Sequence, residues 1–145
     1  MEHTSLSPDI YNSHEFFQIN ENLIKWNLES VQGEGFFKKY TGKYAHIKIK
    51  MYASKEYDWT SSVIWNVDKK LLPDSLGHKM FIEKVLNFFL TYLSGLRGER
   101  IHLTFEINDG TYHPVDSQAG DFLVATVYAL INCFDKNFNM LRPSD

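Results

Sequence analysis

Apolar and polar positions predict four strands along the chain. Residues alternate with a period of two over Leu23–Glu29, Ala45–Tyr52 and Arg100–Ile107, which is typical of a strand with one buried and one solvated face. The stretch Trp59–Val67 is rich in Thr, Val, Ile and Trp, which favour strands. We expect it to pair antiparallel with the strand before it if a hairpin joins the two. The inward positions predict the core: Ile24, Trp26, Ile47, Ile49, Val63, Trp65, Leu103 and Phe105.

Two further stretches have the wider apolar spacing of helices. Pro73-Asp74-Ser75 is a helix-start signal, and apolar residues recur over Leu76–Leu93 before Gly95 and Gly98. A last helix is expected from about Gln118 to Phe138, with Asp116 or Ser117 as its structural cap.

The segments between these elements are interpreted as breaks and loops. Gln32-Gly33-Glu34-Gly35 interrupts the alternation, and Phe36–Lys43 is expected to form an exposed loop or hairpin tip around Gly42. Asp109-Gly110 is expected to end the last strand, and a second tip loop follows over Thr111–Val115.

The order β-β-β-α-β-α predicts an α+β fold. The expected form is a two-layer α/β sandwich, in which two helices cover one face of a four-stranded mixed sheet. The 145 residues suffice for one domain and not for two ordinary ones. Residues 1–20 are interpreted as an N-terminal extension that docks on the domain formed by residues 21–145.

Charge is unevenly distributed. The whole chain carries −3, which argues against a polyanion-binding surface over the entire molecule, and 43% apolar with 23% charged residues excludes disordered classes. The segment Gln32–Tyr52 carries +4 and leaves −7 for the rest. Its lysines, with aromatic residues among them, are typical of a single-stranded nucleic-acid surface or else form the solvated face of a strand: Lys38, Lys39, Lys43, Lys48 and Lys50.

Several classes of site are not expected. Cys133 is the only cysteine, so no intramolecular disulfide and no metal site of paired cysteines can form, and a cytoplasmic setting fits best. The histidines have no metal-ligand spacing, and no cofactor is expected. The N-terminus lacks the pattern of a signal peptide, and the apolar stretch Phe122–Phe134 is too short to span a membrane.

Two tip segments resemble domain IV of elongation factor G. Gly110-Thr111-Tyr112-His113-Pro114-Val115-Asp116-Ser117, with Phe122 five residues later, has the family's second tip loop and last helix in order and spacing. Gly42-Lys43-Tyr44-Ala45-His46-Ile47 is similar to its first tip loop and the following strand, although Lys43 and Ala45 depart from the pattern. Leu23–Ser30 and Met140-Leu141-Arg142-Pro143 resemble the family's opening strand and its Leu-Glu-Pro junction.

The resemblance implies a stand-alone elongation factor G domain IV-like domain with the fold of ribosomal protein S5 domain 2. It also implies a role in translation, with the ribosome or RNA as partner. The tip residues expected at this contact are His113, Tyr112, Gly110, Lys43, Lys38 and Lys39. No segment has the glycine-rich phosphate loop of a GTPase, so we expect a non-enzymatic protein that works with a separate GTPase or another protein. Pro114, where the family usually has an acidic residue, biases His113 toward an extended backbone.

Other interpretations of these residues remain open. His113 fits either an RNA contact or an ordinary exposed histidine. A catalytic triad of His113, Asp116 and Ser117 is not expected, because three such groups within five residues do not easily adopt the required geometry. The alternative function is a protein-interaction or structural domain that retains the fold without the ribosomal role.

Overall fold

Four strands form one mixed sheet in the computed structural model, which describes residues 11–40, 42–55 and 60–139. They are β1 (Val31–Lys39), β2 (Lys43–Ala53), β3 (Ser62–Trp65) and β4 (Leu103–Thr111), ordered β1-β2-β4-β3. β2 pairs antiparallel with β1 and β4, whereas β3 and β4 are parallel. The expected pairing of the third strand with the second is wrong, because a helix returns the chain after β3 and β4 lies between the two.

Three α-helices complete the described fold: α1 (Asn20–Lys25), α2 (His78–Arg97) and α3 (Asp121–Asn132). Short 3₁₀ helices span Tyr11–Ile19 and Asp74–Leu76. After α1 the element order is β-β-β-α-β-α, which confirms the α+β sandwich with its four-stranded mixed sheet. The predicted inward face of β2 is fully buried, whereas Lys48, on its other face, is exposed.

The predicted first strand is wrong. Residues 20–25 form α1, and Leu28 has a positive φ of 65° that strands do not adopt. Leu23 is buried within α1 and Trp26 is buried directly after this helix, whereas Ile24 is 52% exposed. The alternation was produced by a short helix and a turn, whose apolar residues happen to be two apart.

The segment interpreted as a break, Gln32–Gly35, and the first half of the expected exposed loop, Phe36–Lys39, form most of the actual first strand. Lys43 belongs to β2, so the expected loop over Phe36–Lys43 is wrong at both of its ends. Gly33 and Gly35 lie on the covered face of β1, opposite Ile49 and Ile47 of β2. A Cβ atom on Gly35 would lie 2.0 Å from the backbone oxygen of Ala125 in α3. The glycines therefore do not interrupt the strand: they let the helix pack directly against its backbone.

The last strand and last helix have other limits than predicted. β4 continues through Asp109 and Gly110 to Thr111, past an irregularity in the register opposite Lys48 and Ile49. Gly110 is buried, and a Cβ there would lie 2.8 Å from a methyl carbon of Leu72. α3 begins at Asp121 and ends at Asn132, so both ends of the predicted helix are turns.

The core includes most of the predicted residues and part of the N-terminal segment. Trp26, Ile47, Ile49, Leu103 and Phe105 are buried, Val63 and Trp65 are half-buried, and Ile24 is not a core residue. Phe16 and Ile19, before α1, are fully buried, and the Phe16 ring meets Phe89 of α2 edge-on at 5.5 Å. Residues 1–10, Trp59 and the Met140–Pro143 segment lie outside the described residues.

Candidate nucleic-acid interface

The two tip loops lie at the same end of the sheet. Lys39 pairs with Lys43 at the β1–β2 turn, and His46 pairs with Thr111 at the end of β4. The loop that leaves β4 therefore begins beside the start of β2. We call this end, with its residues 38–44 and 112–118 as far as they are described, the tip.

The predicted tip lysines differ in their surroundings. Lys38 and Lys39 are exposed, and the Lys39 ammonium lies 5.5 Å from the centre of the Phe37 ring. The Lys43 ammonium instead lies 3.6 Å from a carboxylate oxygen of Asp121, whose side chain is 4% exposed. Because a buried carboxylate compensates Lys43, the positive charge available to a ligand comes from Lys38 and Lys39.

The loop around His113 is held by its own hydrogen bonds. The His113 backbone N–H donates to Ser117 Oγ at 2.7 Å, and the Ser117 N–H donates to the His113 carbonyl at 2.9 Å. Ser117 Oγ in turn donates to the Tyr44 carbonyl at 2.6 Å, which joins this loop to the start of β2. The tip is therefore one connected structure and not two independent loops.

The tautomer of His113 follows from its neighbours. Its Nδ1 atom accepts hydrogen bonds from the backbone N–H groups of Val115 at 3.3 Å and Asp116 at 3.2 Å. An Asp116 carboxylate oxygen also lies near Nδ1, at the longer distance of 3.5 Å. Because both backbone bonds are shorter, the hydrogen of the neutral ring is assigned to Nε2, which makes it an N–H donor on a half-exposed side chain. Such a donor can bind a phosphate oxygen or a base acceptor.

The other predicted tip residues are less accessible than expected. Gly110 is buried within β4 and offers no surface for a contact, and Tyr112 is half-buried against the core. The cap assignment needs correction, because Gly120 is the N-cap of α3 and no side chain caps that helix. Asp116 and Ser117 lie in the tip loop, where Ser117 closes the loop as described above.

Asp121 was not singled out in the sequence. Its Oδ2 atom accepts from the backbone N–H of Gln118 at 3.0 Å and from that of Tyr44 at 3.4 Å. Together with the Lys43 contact, these bonds join the start of α3 to the start of β2. No signal in the sequence marks Asp121, because it falls inside a predicted helix, where acidic residues are common near the first turn.

A hydrogen-bonded row on the sheet face opposite α3 supports the tip, and the sequence gives no sign of it. Glu34 Oε2 lies 2.8 Å from His46 Nε2, and His46 Nδ1 lies 3.3 Å from Thr111 Oγ1. Thr111 Oγ1 lies 2.9 Å from the Tyr44 hydroxyl. The row crosses β1, β2 and β4, and the Phe36 ring stacks on His46 at 4.4 Å. Only the pairing of the strands brings these side chains together.

Neither a metal-binding cluster nor a membrane-spanning helix is found among the residues that the structure describes. Among the described residues, no group of three or more His, Cys, Asp or Glu side chains is placed to hold a metal ion. None of the described helices has the length and apolar character to cross a membrane.

Comparison with known proteins shows a shared fold. No protein-family model matches the chain, and no curated protein matches it in sequence. A crystal structure of the protein ttk003000868 from Thermus thermophilus is similar to this chain, with a TM-score of 0.56 and 19% sequence identity. The match covers 77% of this chain and 16% of that protein, so this chain corresponds to a small part of a much longer one. At this identity the likeness is one of fold.

Proposed function

We propose that this chain is a non-enzymatic, elongation factor G domain IV-like module that contacts the ribosome or RNA through its tip. The observation that carries the proposal is the joining of both tip segments, through Ser117 and Asp121, into one surface. Lys38 and Lys39 are exposed at the end of β1 that lies in this tip, and Lys38 pairs with Tyr44. The Tyr44 ring lies 6.5 Å from the His113 ring, whose Nε2 is the proposed donor. The two segments are also those that resemble the tip loops of the elongation factor.

Electrostatics supports the proposal. The segment that supplies Lys38 and Lys39 carries +4, whereas the rest of the chain carries −7. Such a charge distribution draws one end of the molecule toward phosphate and repels the remainder. With few uncompensated cations, the isolated domain should bind weakly and lose its affinity as salt rises. A separate GTPase or another protein would then anchor it.

A protein-interaction or structural domain is the second candidate. The ion pair between Lys43 and Asp121 favours it, because this pair removes one of the three tip lysines from a phosphate contact. The net charge of −3 favours it as well. An apolar protein interface would keep its affinity at high salt, whereas an RNA contact would not.

Sedimentation with ribosomes tests the proposal. The tagged protein is centrifuged with purified ribosomes at about 50 and 200 mM salt, the range over which phosphate contacts weaken steeply. We expect cosedimentation at low salt and its loss at high salt. The double variant K38E/K39E should lose most of the low-salt binding, and each lost phosphate contact should reduce the salt slope by about 0.7 to 0.9. Lys43 is left unchanged, because a glutamate there would face the buried Asp121 and disturb the loop.

The matched control is K25E/K55E. Both lysines are exposed: Lys25 precedes β1 and Lys55 follows β2, at the end of the sheet away from the tip. The control has the same net charge as K38E/K39E, so it should still cosediment. Circular dichroism first checks that K38E/K39E is folded. If this folded variant cosediments as well as the parent protein, the protein-interaction candidate replaces this proposal.

A further inference from the structure

The two edge strands of the sheet, β1 and β3, differ in how their outward-facing backbone groups are hydrogen-bonded. At the outer edge of β1, the backbone N–H of Glu34 donates to Asn132 Oδ1 at 3.0 Å. The Asn139 side-chain amide accepts from the Phe36 N–H and donates to the Phe36 carbonyl at 2.9 Å. Side chains from the end of α3 and the segment after it therefore cap this edge, as folded proteins commonly do to prevent strand addition.

In the part of the chain that the structure describes, the outer edge of β3 has no such caps. The Asn66 N–H donates to the Ile107 carbonyl at 2.9 Å, toward β4. Because peptide groups alternate in direction along a strand, those of Ile64 face β4 and those of Val63 and Trp65 face outward. Among the described residues, no side chain hydrogen-bonds to these outward groups. Within the described residues, two N–H donors and two carbonyl acceptors are therefore without a partner at this edge.

A groove lined by both apolar and polar side chains accompanies this edge. An opening of about 240 Å³ separates β3 from α2, with Val63, Trp65 and Phe105 at its base. The α2 side is formed by one helix face at spacings of three and four residues: Glu83, Leu86, Asn87 and Leu90. Because Val63 and Trp65 contribute both side chains and outward peptide groups, the edge and the groove form one surface.

The groove is long enough for a short extended segment. A second opening, of about 710 Å³, shares Ser61 and Leu90 with the first and continues to Gly98 at the end of α2. From Glu83 to Gly98 the helix rises about 22 Å, at 1.5 Å per residue. About six or seven residues of an extended strand span that distance.

Charge selects the kind of segment. Lys79, which contacts Trp65, is already engaged: its ammonium lies 3.0 Å from an Asp74 carboxylate oxygen and 5.0 Å from the centre of the Trp65 ring. Glu83, exposed on the helix side, is the only charged residue among those that line the first opening in the described chain. The lining of the second opening adds Glu99 and Arg100, one charge of each sign. A cationic side chain complements the Glu83 carboxylate.

We infer that β3 and the groove beside α2 bind an extended peptide segment of a partner protein, which adds to the sheet as a fifth strand. Its backbone bonds to the peptide groups of Val63 and Trp65, its alternate apolar side chains enter the groove, and a Lys or Arg faces Glu83. Backbone bonds that supply affinity and alternate side chains that supply specificity characterise this mode of recognition. The site is separate from the tip and independent of the ribosomal proposal.

The test uses a defined probe, the capped heptapeptide Lys-Thr-Val-Thr-Val-Thr-Lys, with a fluorescein label for anisotropy. In an extended strand its two valines and two lysines share one face. We expect saturable binding with a Kd below about 1 mM, as for weak strand addition. Hydrogen exchange of the Val63 and Trp65 amides, followed by NMR, should slow at least about tenfold when the peptide is bound. These two amides report strand addition directly, because they do not bond within the sheet.

Two variants probe the groove, each with a control. Leu90→Lys places a charge on its apolar wall and should weaken binding at least about tenfold, whereas Leu71→Lys, at a 50% exposed leucine outside the groove, should not. Glu83→Lys should weaken binding about threefold to tenfold, and a peptide with Glu in place of both Lys residues should recover the loss. Glu29→Lys, at another exposed glutamate, is its control. If Leu90→Lys fails to fold, the charge exchange at Glu83 decides.

The opposing results are equally definite. An absence of binding at about 1 mM peptide, or equal affinity of the parent, Leu90→Lys and Glu83→Lys, would overturn the inference. So would unchanged exchange of the Val63 and Trp65 amides in a saturated complex. If light scattering showed a dimer that Leu90→Lys separates into monomers, the occupant would be a second copy of this chain and not a partner peptide.

Discussion

At the residue scale, two glycines of β1 set the distance between the sheet and its covering helix. A Cβ on Gly33 would lie 2.1 Å from the Ala129 oxygen, and one on Gly35 would lie 2.0 Å from the Ala125 oxygen. Backbone atoms at these distances cannot move aside as a flexible side chain does. The small residues of α3 thus meet a strand that has no side chains at the contact.

Gly35→Ala should therefore lower the free energy of unfolding by at least about 2 kcal/mol, since an added methyl group in a close contact overpacks the interior. The control is Gly95→Ala in α2, where a Cβ has nothing within 4 Å. That substitution should stabilise the protein by about 0.5–1 kcal/mol through helix propensity. Urea unfolding of both variants measures the difference. A Gly35→Ala variant as stable as the parent would show that α3 does not contact β1 directly.

Also at the residue scale, His78 should make stability depend on pH. Its side chain is buried at the start of α2 near Trp65 and Phe122, and its Nδ1 atom has no hydrogen-bond partner among the described residues. Burial lowers the pKa of His78, and the charge of Lys79 lowers this pKa further, while Asp74 opposes the shift. The unfolded chain, with a histidine pKa of about 6.5, then takes up a proton more readily than the folded protein. The free energy of unfolding should therefore fall as pH decreases below about 6.5.

The variant His78→Phe tests this pH dependence. It removes the titrating group without removing a bond to Nδ1, so the difference in unfolding free energy between about pH 7 and pH 5 should shrink. Urea titrations at several pH values measure the slope, which is independent of any constant change in stability. An identical slope in the parent and the variant would assign the acid sensitivity to other groups.

At the element scale, the first helix and the last strand contribute unequally to the core although both have alternating apolar residues. Phe105 of β4 is 1% exposed and packs edge-on against Phe89 of α2, whereas Ile24 of α1 is 52% exposed. Phe105→Ala should cost about 3–5 kcal/mol of unfolding free energy, and Ile24→Ala less than about 1 kcal/mol. Chemical denaturation measures both. Similar costs for the two substitutions would contradict this placement of α1.

Also at the element scale, the length and regularity of each apolar pattern decide which elements could be predicted from the sequence. β2, α2 and much of β4 have long, regular patterns with one buried face, and they occur close to where the sequence places them. β1 could not be recognised, because the positions that face the helix are glycines and leave no apolar signal. α1 was mistaken for a strand, because six residues are too few to distinguish a period of 3.6 from one of two.

At the scale of the whole molecule, the salt dependence of ribosome binding separates the contribution of His113 from that of the tip lysines. His113 offers a hydrogen bond or a stacking surface, whereas Lys38 and Lys39 release counterions from RNA. His113→Ala should weaken ribosome binding severalfold with little change in the salt slope. Cosedimentation over a series of salt concentrations measures both quantities.

A second substitution at His113 separates contact from loop structure. His113→Asn retains a side-chain acceptor for the nearby backbone N–H groups, as asparagine commonly does in turns, but removes the ring. If the ring contacts RNA, both variants should bind weakly. Restored binding with Asn would assign His113 a role in shaping the loop alone.

The fold class and the location of the tip segments could be predicted from the linear sequence. Alternating and helical patterns are local properties, and the order of strands and helices permits few arrangements in a single small domain. The residues of both tip segments could be named for the same reason, because each segment is contiguous in the chain.

Which side chains act together became apparent only from the packed molecule. The pairing of Lys43 with Asp121 joins the start of β2 to the start of α3, and the row from Glu34 through His46 and Thr111 requires three strands in register. The closed edge of β1 and the open edge of β3 depend likewise on the sheet order. Contacts between distant segments carry no periodic signal, because their geometry arises only when the layers pack.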